Sequence, residues 1–131
     1  MIEADPIWIG AFEARALHER LLAIHGGLEG VRDEGLLDSA IARPRQIIAY
    51  EPAADLIDLA SAYTVGIVKN HPFIDGDKRV GFVVGVLFLE LNGYRFNALE
   101  VDAADAVLAV AAGALDEAGF TRFLRENSIR E

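Results

Sequence analysis

The sequence contains no cysteine, which excludes disulfide bonds and thiolate metal sites and fits a reducing compartment. Proline is also scarce, at 4 of 131 residues, and 53% of the residues are hydrophobic, so the composition is that of a globular protein. Basic residues are few, at 12 against 21 acidic ones, which gives a formal net charge of −9. Nucleic acids and anionic lipids attract proteins chiefly through Lys and Arg, so we expect no direct nucleic-acid partner and no membrane partner.

The sequence also lacks an apolar run long enough to cross a lipid bilayer. The longest uncharged run, residues 80–89, has about half of the ~20 residues that a spanning helix needs. The N-terminal segment MIEADPIW is acidic and lacks the basic and then apolar pattern of a signal peptide. We therefore expect a cytoplasmic protein in which residues 1–131 form a single domain with one core.

Apolar residues recur at intervals of three and four along the chain, which predicts an all-α domain. Pro44 is expected to end the second helix, and Pro72 requires the third to end near His71. The predicted helices cover residues 6–25, 34–43, 55–70, 78–91, 100–112 and 116–126.

The fourth predicted helix begins in a segment rich in ionisable groups, NHPFIDGDKR, residues 70–79. We expect Asp77 to cap this helix, which leaves Lys78 and Arg79 in its first turn. Cations there are unfavourable by about 0.3–1 kcal/mol each, unless an anion is bound over the free backbone N–H groups. The segment is therefore either a solvated turn before a buried helix or a phosphate site on a helix N-terminus.

Two further residues of this segment suit phosphate chemistry. A histidine side chain titrates near neutral pH, so His71 could take a proton from a hydroxyl nucleophile. Asp75 supplies a hard oxygen, and Mg²⁺ is usually held by one or two carboxylates together with substrate phosphates. Downstream, Gly81 and Gly85 lie one turn apart on one helix face, which predicts the close approach of a neighbouring backbone.

The stretch HPFIDGDKR resembles the signature of the Fic/Doc family, His-Pro-Phe-x-Asp/Glu-Gly-Asn-Gly/Lys-Arg. Lys78 stands where most members have Gly, which is similar to the Doc branch, the toxins of death-on-curing toxin–antitoxin pairs. The resemblance covers residues 15–125 and includes the segments AYEPAADLIDLASAY and LFLELNG. It implies a helical bundle whose motif loop joins two central helices.

By position, the resemblance implies a role for each motif residue. His71 would activate a target hydroxyl, Phe73 would anchor the loop in the core, and Asp75 would bind Mg²⁺ on the phosphates of the co-substrate ATP. The phosphates themselves would be bound by the remaining residues of the motif: Gly76, Asp77, Lys78 and Arg79.

Asp77 departs from the family pattern, because Asn at this position donates a hydrogen bond to a phosphate and an ionised Asp has no donor. We expect the Asp77 carboxylate to face the phosphates and to weaken nucleotide binding. The alternatives are that it turns toward the metal or serves only as a helix cap.

Two positions favour the reaction implied by Doc-like members over AMP transfer. One is Lys78, and the other is residue 82, where Phe stands in place of a second Arg. That reaction transfers the γ-phosphate of ATP to a protein hydroxyl, with a threonine of elongation factor Tu as the known type of target, and it inhibits translation. AMP transfer is the first alternative, and a catalytically weak protein-binding module is the second.

Thr121 and Glu126 lack the spacing of the family's built-in inhibitory helix, so we expect control by a Phd-like antitoxin whose segment forms a helix over the motif.

The remaining aromatic residues and histidines receive simpler interpretations. His18 and His25 have no partner at a metal-ligand spacing, so we expect surface or helix-cap roles. Trp8 is expected to be a core or interface anchor. The segment YEP, residues 50–52, is either part of the flap that docks a target in Fic proteins or an ordinary loop.

Overall fold

The computed structural model describes residues 5–131, so the first half of the N-terminal segment MIEADPIW lies outside the described residues. The described chain is almost entirely helical, with one small antiparallel sheet, and this confirms the all-α fold class. Its elements, in order, are α1 Ala11–His25, α2 Glu34–Tyr50, α3 Leu56–Asn70, α4 Asp77–Leu91, β1 Tyr94–Phe96, α5 Glu100–Ala111, α6 Glu117–Glu126 and β2 Ser128–Arg130.

Helix α3 lies at the centre of the bundle. It contacts α2, α4, α5 and α6, and every residue from Leu59 to Val68 is buried. A helix surrounded in this way must be apolar on all sides, which explains the sequence LIDLASAYTVGIVKN. Helix α4 packs against it as the second central helix, and the motif loop joins the two, as we expected.

Two glycines of α4 allow α3 and α4 to approach closely, as the sequence predicts. The hydroxyl of Thr64 donates a hydrogen bond of 2.8 Å to the carbonyl oxygen of Gly81. A Cβ atom at Gly85 would overlap the Thr64 hydroxyl and would lie 3.0 Å from the carbonyl oxygen of Ala60. The space between the two backbones is therefore too small for any side chain at this position.

Helix α2 continues through Pro44 to Tyr50, so the prediction that Pro44 ends it is wrong. A proline inside a helix removes one backbone hydrogen bond and costs about 3 kcal/mol. Pro44 is itself buried, and Ile47 and Ile48 pack against the core beyond it. Burying an aliphatic side chain contributes about 1.5–3 kcal/mol, so the packing of these residues can offset the cost of the proline.

Helix α1 begins at Ala11, although the sequence predicted a start at residue 6. The chain before it is extended because its backbone bonds to other elements. The Tyr63 hydroxyl bonds to both the N–H and the carbonyl oxygen of Ile9, at 3.0 Å each. The side chain of Trp8 packs on Phe88, with 5.8 Å between the ring centroids, which agrees with its expected role as an anchor.

The chain ends in strand β2, which pairs antiparallel with β1 so that Tyr94 lies opposite Arg130. Strands of three residues are too short to show an alternating pattern in the sequence. Within residues 5–131, none of the helices has both the length and the apolar character that crossing a membrane requires.

The contact between α3 and α4 gives a stability prediction. Gly85→Ala should lower the free energy of unfolding by about 1–3 kcal/mol, because the new methyl group overpacks the interface. Gly66→Ala is the matched control, since its Cβ would meet nothing closer than 3.5 Å and alanine favours a helix by up to about 1 kcal/mol. Urea unfolding of both variants checks the prediction, and equal destabilisation by the two would contradict it.

Candidate functional site

The motif loop starts at His71, where α3 ends. His71 has φ 49° and ψ 55°, and it is the one non-glycine residue with a positive φ among residues 5–131. The left-handed conformation costs a residue with a side chain about 1–2 kcal/mol, so the surroundings must hold it in place. The side chain itself is 56% exposed and therefore accessible to a substrate.

Arg32 fixes the backbone at His71. Its Nε donates 2.7 Å to the carbonyl oxygen of His71, and its Nη2 donates 2.9 Å to that of Asn70. The backbone amides of Arg32 and Asp33 both donate to the carbonyl oxygen of Pro72, at 2.7 and 3.1 Å. The last carbonyls of a helix have no partner within it, so Arg32 satisfies groups that would otherwise be left to water.

The loop between α1 and α2, residues 26–33, pairs with the motif loop. The Ile74 amide donates 3.1 Å to the carbonyl oxygen of Gly30, and Val31 and Phe73 form an antiparallel bridge. The segment YEP spans the C-terminal end of α2, at the end of α3 opposite to the motif and roughly 22 Å from it for a helix of 15 residues. Its interpretation as a flap at the motif is therefore wrong, and it is an ordinary connection.

His18 is 3% exposed, so the expectation of a surface or cap role is wrong. Its ring stacks on Phe73, with centroids 3.9 Å apart and planes 14° apart, and its Nε2 donates 2.7 Å to the carbonyl oxygen of Asp75. The ring of Phe73 is buried beneath it, as we expected. The signal that could have identified His18 is its place between Ala14 and Leu21 on the buried face of α1.

His25 differs from His18, because it is exposed at the end of α1. Its expected surface role therefore agrees with the structure.

Asp77 is the first residue of α4, and the N-cap is Gly76 in the left-handed conformation at φ 83°, so the prediction that Asp77 caps the helix is wrong. The side chain turns into the loop instead and is 8% exposed. Its Oδ1 accepts a 2.9 Å hydrogen bond from the amide of Phe73, and its Oδ2 lies 3.6 Å from Nδ1 of His71. A buried amide needs an acceptor, and this requirement holds the carboxylate within the loop.

The surroundings of the Asp77 carboxyl act on its pKa in opposite directions. Burial raises the pKa, and the hydrogen bond from Phe73 and the nearby His71 offset part of that rise.

The start of α4 is suited to binding an anion. The first hydrogen bond within the helix runs from the amide of Val80 to the carbonyl oxygen of Gly76, at 3.0 Å, so the amides before Val80 have no acceptor in the helix. Gly76 has no side chain with which to cap them. Lys78 and Arg79 are exposed at the same end. The dipole, the uncapped amides and the two cations each favour an anion bound at this end of α4.

Asp75 lies on the exposed side of the loop, where its Oδ2 accepts a 3.1 Å hydrogen bond from the amide of Leu28. No group of three or more metal-ligating side chains occurs among residues 5–131. One accessible carboxylate beside a helix end with free amides nevertheless fits Mg²⁺, which keeps several water ligands and takes others from substrate phosphates.

A groove of about 580 Å³ adjoins the motif between α1, α4, β1 and α5. Lys78 and Arg79 lie at its edge, and most of its other lining residues are apolar, among them Leu21, Phe82, Phe96, Val107 and Leu108. The groove therefore offers an apolar surface with two cations at its edge.

Comparison with known proteins agrees with this geometry. A model described as the Fic/DOC family matches residues 8–89. The chain is 32% identical over 114 residues to "Protein kinase doc" of Escherichia phage P1, a match that covers 86% of this chain and 89% of that protein. It is also 36% identical over 85 residues to "Toxin Doc" of Mycolicibacterium smegmatis, covering 63% of this chain and 65% of that one.

His18 gives the prediction of this section. His18→Ala should lower the free energy of unfolding by about 2–4 kcal/mol, because it removes a buried ring and leaves the carbonyl oxygen of Asp75 without its donor. It should also raise the hydrogen-exchange rate of the Ile74 amide. His25→Ala, on the exposed end of the same helix, should change stability by less than about 0.5 kcal/mol. Small and equal effects in the two variants would contradict the assignment.

Proposed function

The chain belongs to the Fic/Doc family, and from that premise we propose that it is a Doc-type toxin that transfers the γ-phosphate of ATP to a protein hydroxyl. One observation carries the proposal: the exposed side chain of His71 lies beside the start of α4. That helix end has no side-chain cap, and Lys78 and Arg79 are exposed in its first turn. The name of the phage relative, a protein kinase, supports phosphate transfer as the reaction.

The start of α4 would bind the phosphates of ATP. An anion over the free amides turns the unfavourable position of Lys78 and Arg79 into a favourable one, because both cations and the helix dipole then act on the same negative charge. Asp75 would hold Mg²⁺, which when bound neutralises part of the charge on the phosphates.

His71 would act as the general base. In the proposed step, its Nε2 takes the proton of the target hydroxyl, and the hydroxyl oxygen forms a bond to the γ-phosphorus. The bond from that phosphorus to the bridging oxygen breaks, and ADP leaves. The exposure of His71 supports this role, because the target side chain must reach the ring from outside the bundle.

The side chains that follow the loop favour phosphate transfer over AMP transfer. Lys78 stands where AMP-transferring members carry Gly, and a long cation there fills space that their nucleotide needs. Phe82 stands in place of their second Arg, and its ring packs edge-on against Phe96, with 5.6 Å between centroids. No cation is therefore available at residue 82 to bind the nucleotide in the AMP-transferring orientation.

A threonine of elongation factor Tu is the target that we propose, with inhibition of translation in the cytoplasm as the result. The resemblance to Doc-like proteins suggests the target, and the relative named a toxin supports the outcome.

His71→Ala tests the proposed reaction. It should reduce phosphate transfer at least ~10²-fold and leave the fold intact, because a general base typically contributes 10²–10⁴-fold. The measurement is label transfer from ATP carrying the radioactive phosphorus at either the γ or the α position, with His25→Ala as the control. Transfer of the α label would indicate the AMP-transferring alternative. Transfer of neither label by the wild type would indicate the protein-binding module, and equal transfer by mutant and wild type would refute the role of His71.

We further propose that a Phd-like antitoxin inhibits the protein by laying a helix in the groove beside the motif. The groove is mostly apolar, so a helix with an apolar face can fill it. Lys78 and Arg79 at its edge would attract acidic side chains of that helix, although the chain as a whole has a net charge of −9.

Leu108→Glu tests the partner. Leu108 is 54% exposed and lines the groove from α5 rather than from the motif, so the variant should keep its toxicity and lose neutralisation by the product of the neighbouring gene. Leu91→Glu is the control, because Leu91 is 42% exposed at the end of α4 farthest from the motif. Growth with and without the co-expressed neighbour measures both properties. Unimpaired neutralisation of the Leu108 variant would place the antitoxin elsewhere.

A further inference from the structure

We infer that Arg32 is a positioning residue for His71. Its guanidinium holds the backbone at the end of α3 in the left-handed conformation, and this conformation keeps the imidazole exposed beside the start of α4. The inference rests on the proposed function, because it takes His71 as the base. It adds to that function a residue outside the motif, 39 positions earlier in the chain.

The first step is the set of backbone groups that Arg32 and its neighbour hold. The guanidinium donates from Nε to the carbonyl oxygen of His71 at 2.7 Å and from Nη2 to that of Asn70 at 2.9 Å. The amides of Arg32 and Asp33 donate to the next carbonyl oxygen, that of Pro72, at 2.7 and 3.1 Å. The carbonyl oxygens before, at and after the left-handed peptide unit are therefore all bonded to two adjacent residues.

The second step is that Arg32 is itself fixed. The side chain of the next residue, Asp33, caps α2 by accepting a 2.9 Å hydrogen bond from the amide of Leu36. The preceding residue, Val31, forms an antiparallel bridge with Phe73. The backbone of Arg32 is thus attached to a helix start on one side and to the motif loop on the other, so its guanidinium extends from a rigid segment.

The third step is that the local sequence opposes the conformation of His71. A left-handed backbone is unfavourable for a residue with a Cβ atom, and a residue before a proline is pushed toward the extended region, with φ of about −120°. His71 precedes Pro72 and has φ 49° and ψ 55°. Without the bonds from Arg32, we expect the backbone to rotate toward the extended region and to carry the imidazole away from the start of α4.

The fourth step is that the contact needs the shape of a guanidinium. Its Nε and Nη2 lie in one plane, so one side chain can donate to two successive carbonyl oxygens in a fixed geometry. A lysine ammonium is a compact charge on a flexible stem and cannot hold the same pair in this way. A lysine at residue 32 would therefore keep the charge near His71 and lose the geometry. This difference separates positioning from an effect of charge on the base.

Arg32→Lys and Arg32→Ala test the inference, with the same two changes at Arg122, which is exposed on α6, as matched controls. Both Arg32 variants should lower kcat for phosphate transfer at least ~10-fold, because a small displacement of a reacting group is costly. The Kd for Mg-ATP should stay within about threefold of wild type, since Arg32 holds the base and not the nucleotide. The backbone carbon-13 chemical shifts of His71, which report φ and ψ, should move toward extended values. The controls should match wild type in all three measurements.

The wild-type protein offers a further measurement without any substitution. The Nε proton of Arg32 donates the 2.7 Å hydrogen bond to His71, so it should exchange with water more slowly than the Nε proton of Arg122. Equally fast exchange of the two protons would overturn the inference.

The outcomes distinguish this inference from the proposed function. Wild-type rates of transfer by Arg32→Lys would overturn the inference, because the charge alone would then suffice. Loss of transfer with unchanged His71 shifts would also overturn it, and so would weaker Mg-ATP binding as the main effect or the unfolding of both Arg32 variants. If wild type transfers no phosphate, the proposed function fails, and the shifts of His71 still decide the geometry: a move toward extended values supports the inference and unchanged shifts overturn it.

Discussion

The close packing of α3 against α4 is the constraint on which the rest of the site depends. Gly81 and Gly85 bring the two backbones so near that the Thr64 hydroxyl bonds directly to the carbonyl oxygen of Gly81. Residues 71–76 must therefore reverse the chain within one interhelical distance. Two left-handed residues, His71 at the end of α3 and Gly76 before α4, make the reversal possible. The helix ends are thereby brought side by side, and the candidate base lies next to the candidate phosphate site.

A loop in this conformation needs partners for its polar backbone groups, and the chain supplies them from distant positions. Arg32 and His18 each donate to carbonyl oxygens of the loop, and Asp77 accepts from one of its amides. Each of these contacts satisfies a group whose burial without a partner would cost about 1–3 kcal/mol. The loop is thus held by hydrogen bonds as well as by the buried ring of Phe73, and this allows His71 to stay exposed without becoming disordered.

The elements that the sequence predicted well are those whose pattern is local. Helix α3 and the point where it ends follow from its apolar residues and from Pro72, and the glycines of α4 indicated the close approach of a neighbour. The predictions that were wrong depend on tertiary contacts. Pro44 lies inside α2 because the core packs on both sides of it, and His18 is buried because Phe73 and the Asp75 carbonyl oxygen meet it there. No local rule contains these partners.

Asp77 shows how a motif residue can keep its place in the sequence and change its partner. An amide side chain has both a donor and an acceptor and can serve a phosphate, whereas an ionised carboxylate has acceptors alone and must find donors. The nearest donors are the Phe73 amide and the His71 ring, both within the loop, and the positive end of α4 also favours a negative charge at its first position. Asp77 is thus held within the loop by these two contacts, and Lys78 and Arg79 are the exposed charged side chains in the first turn of α4. The carboxylate at residue 77 therefore stabilises the loop itself, through an acceptor that the Phe73 amide requires.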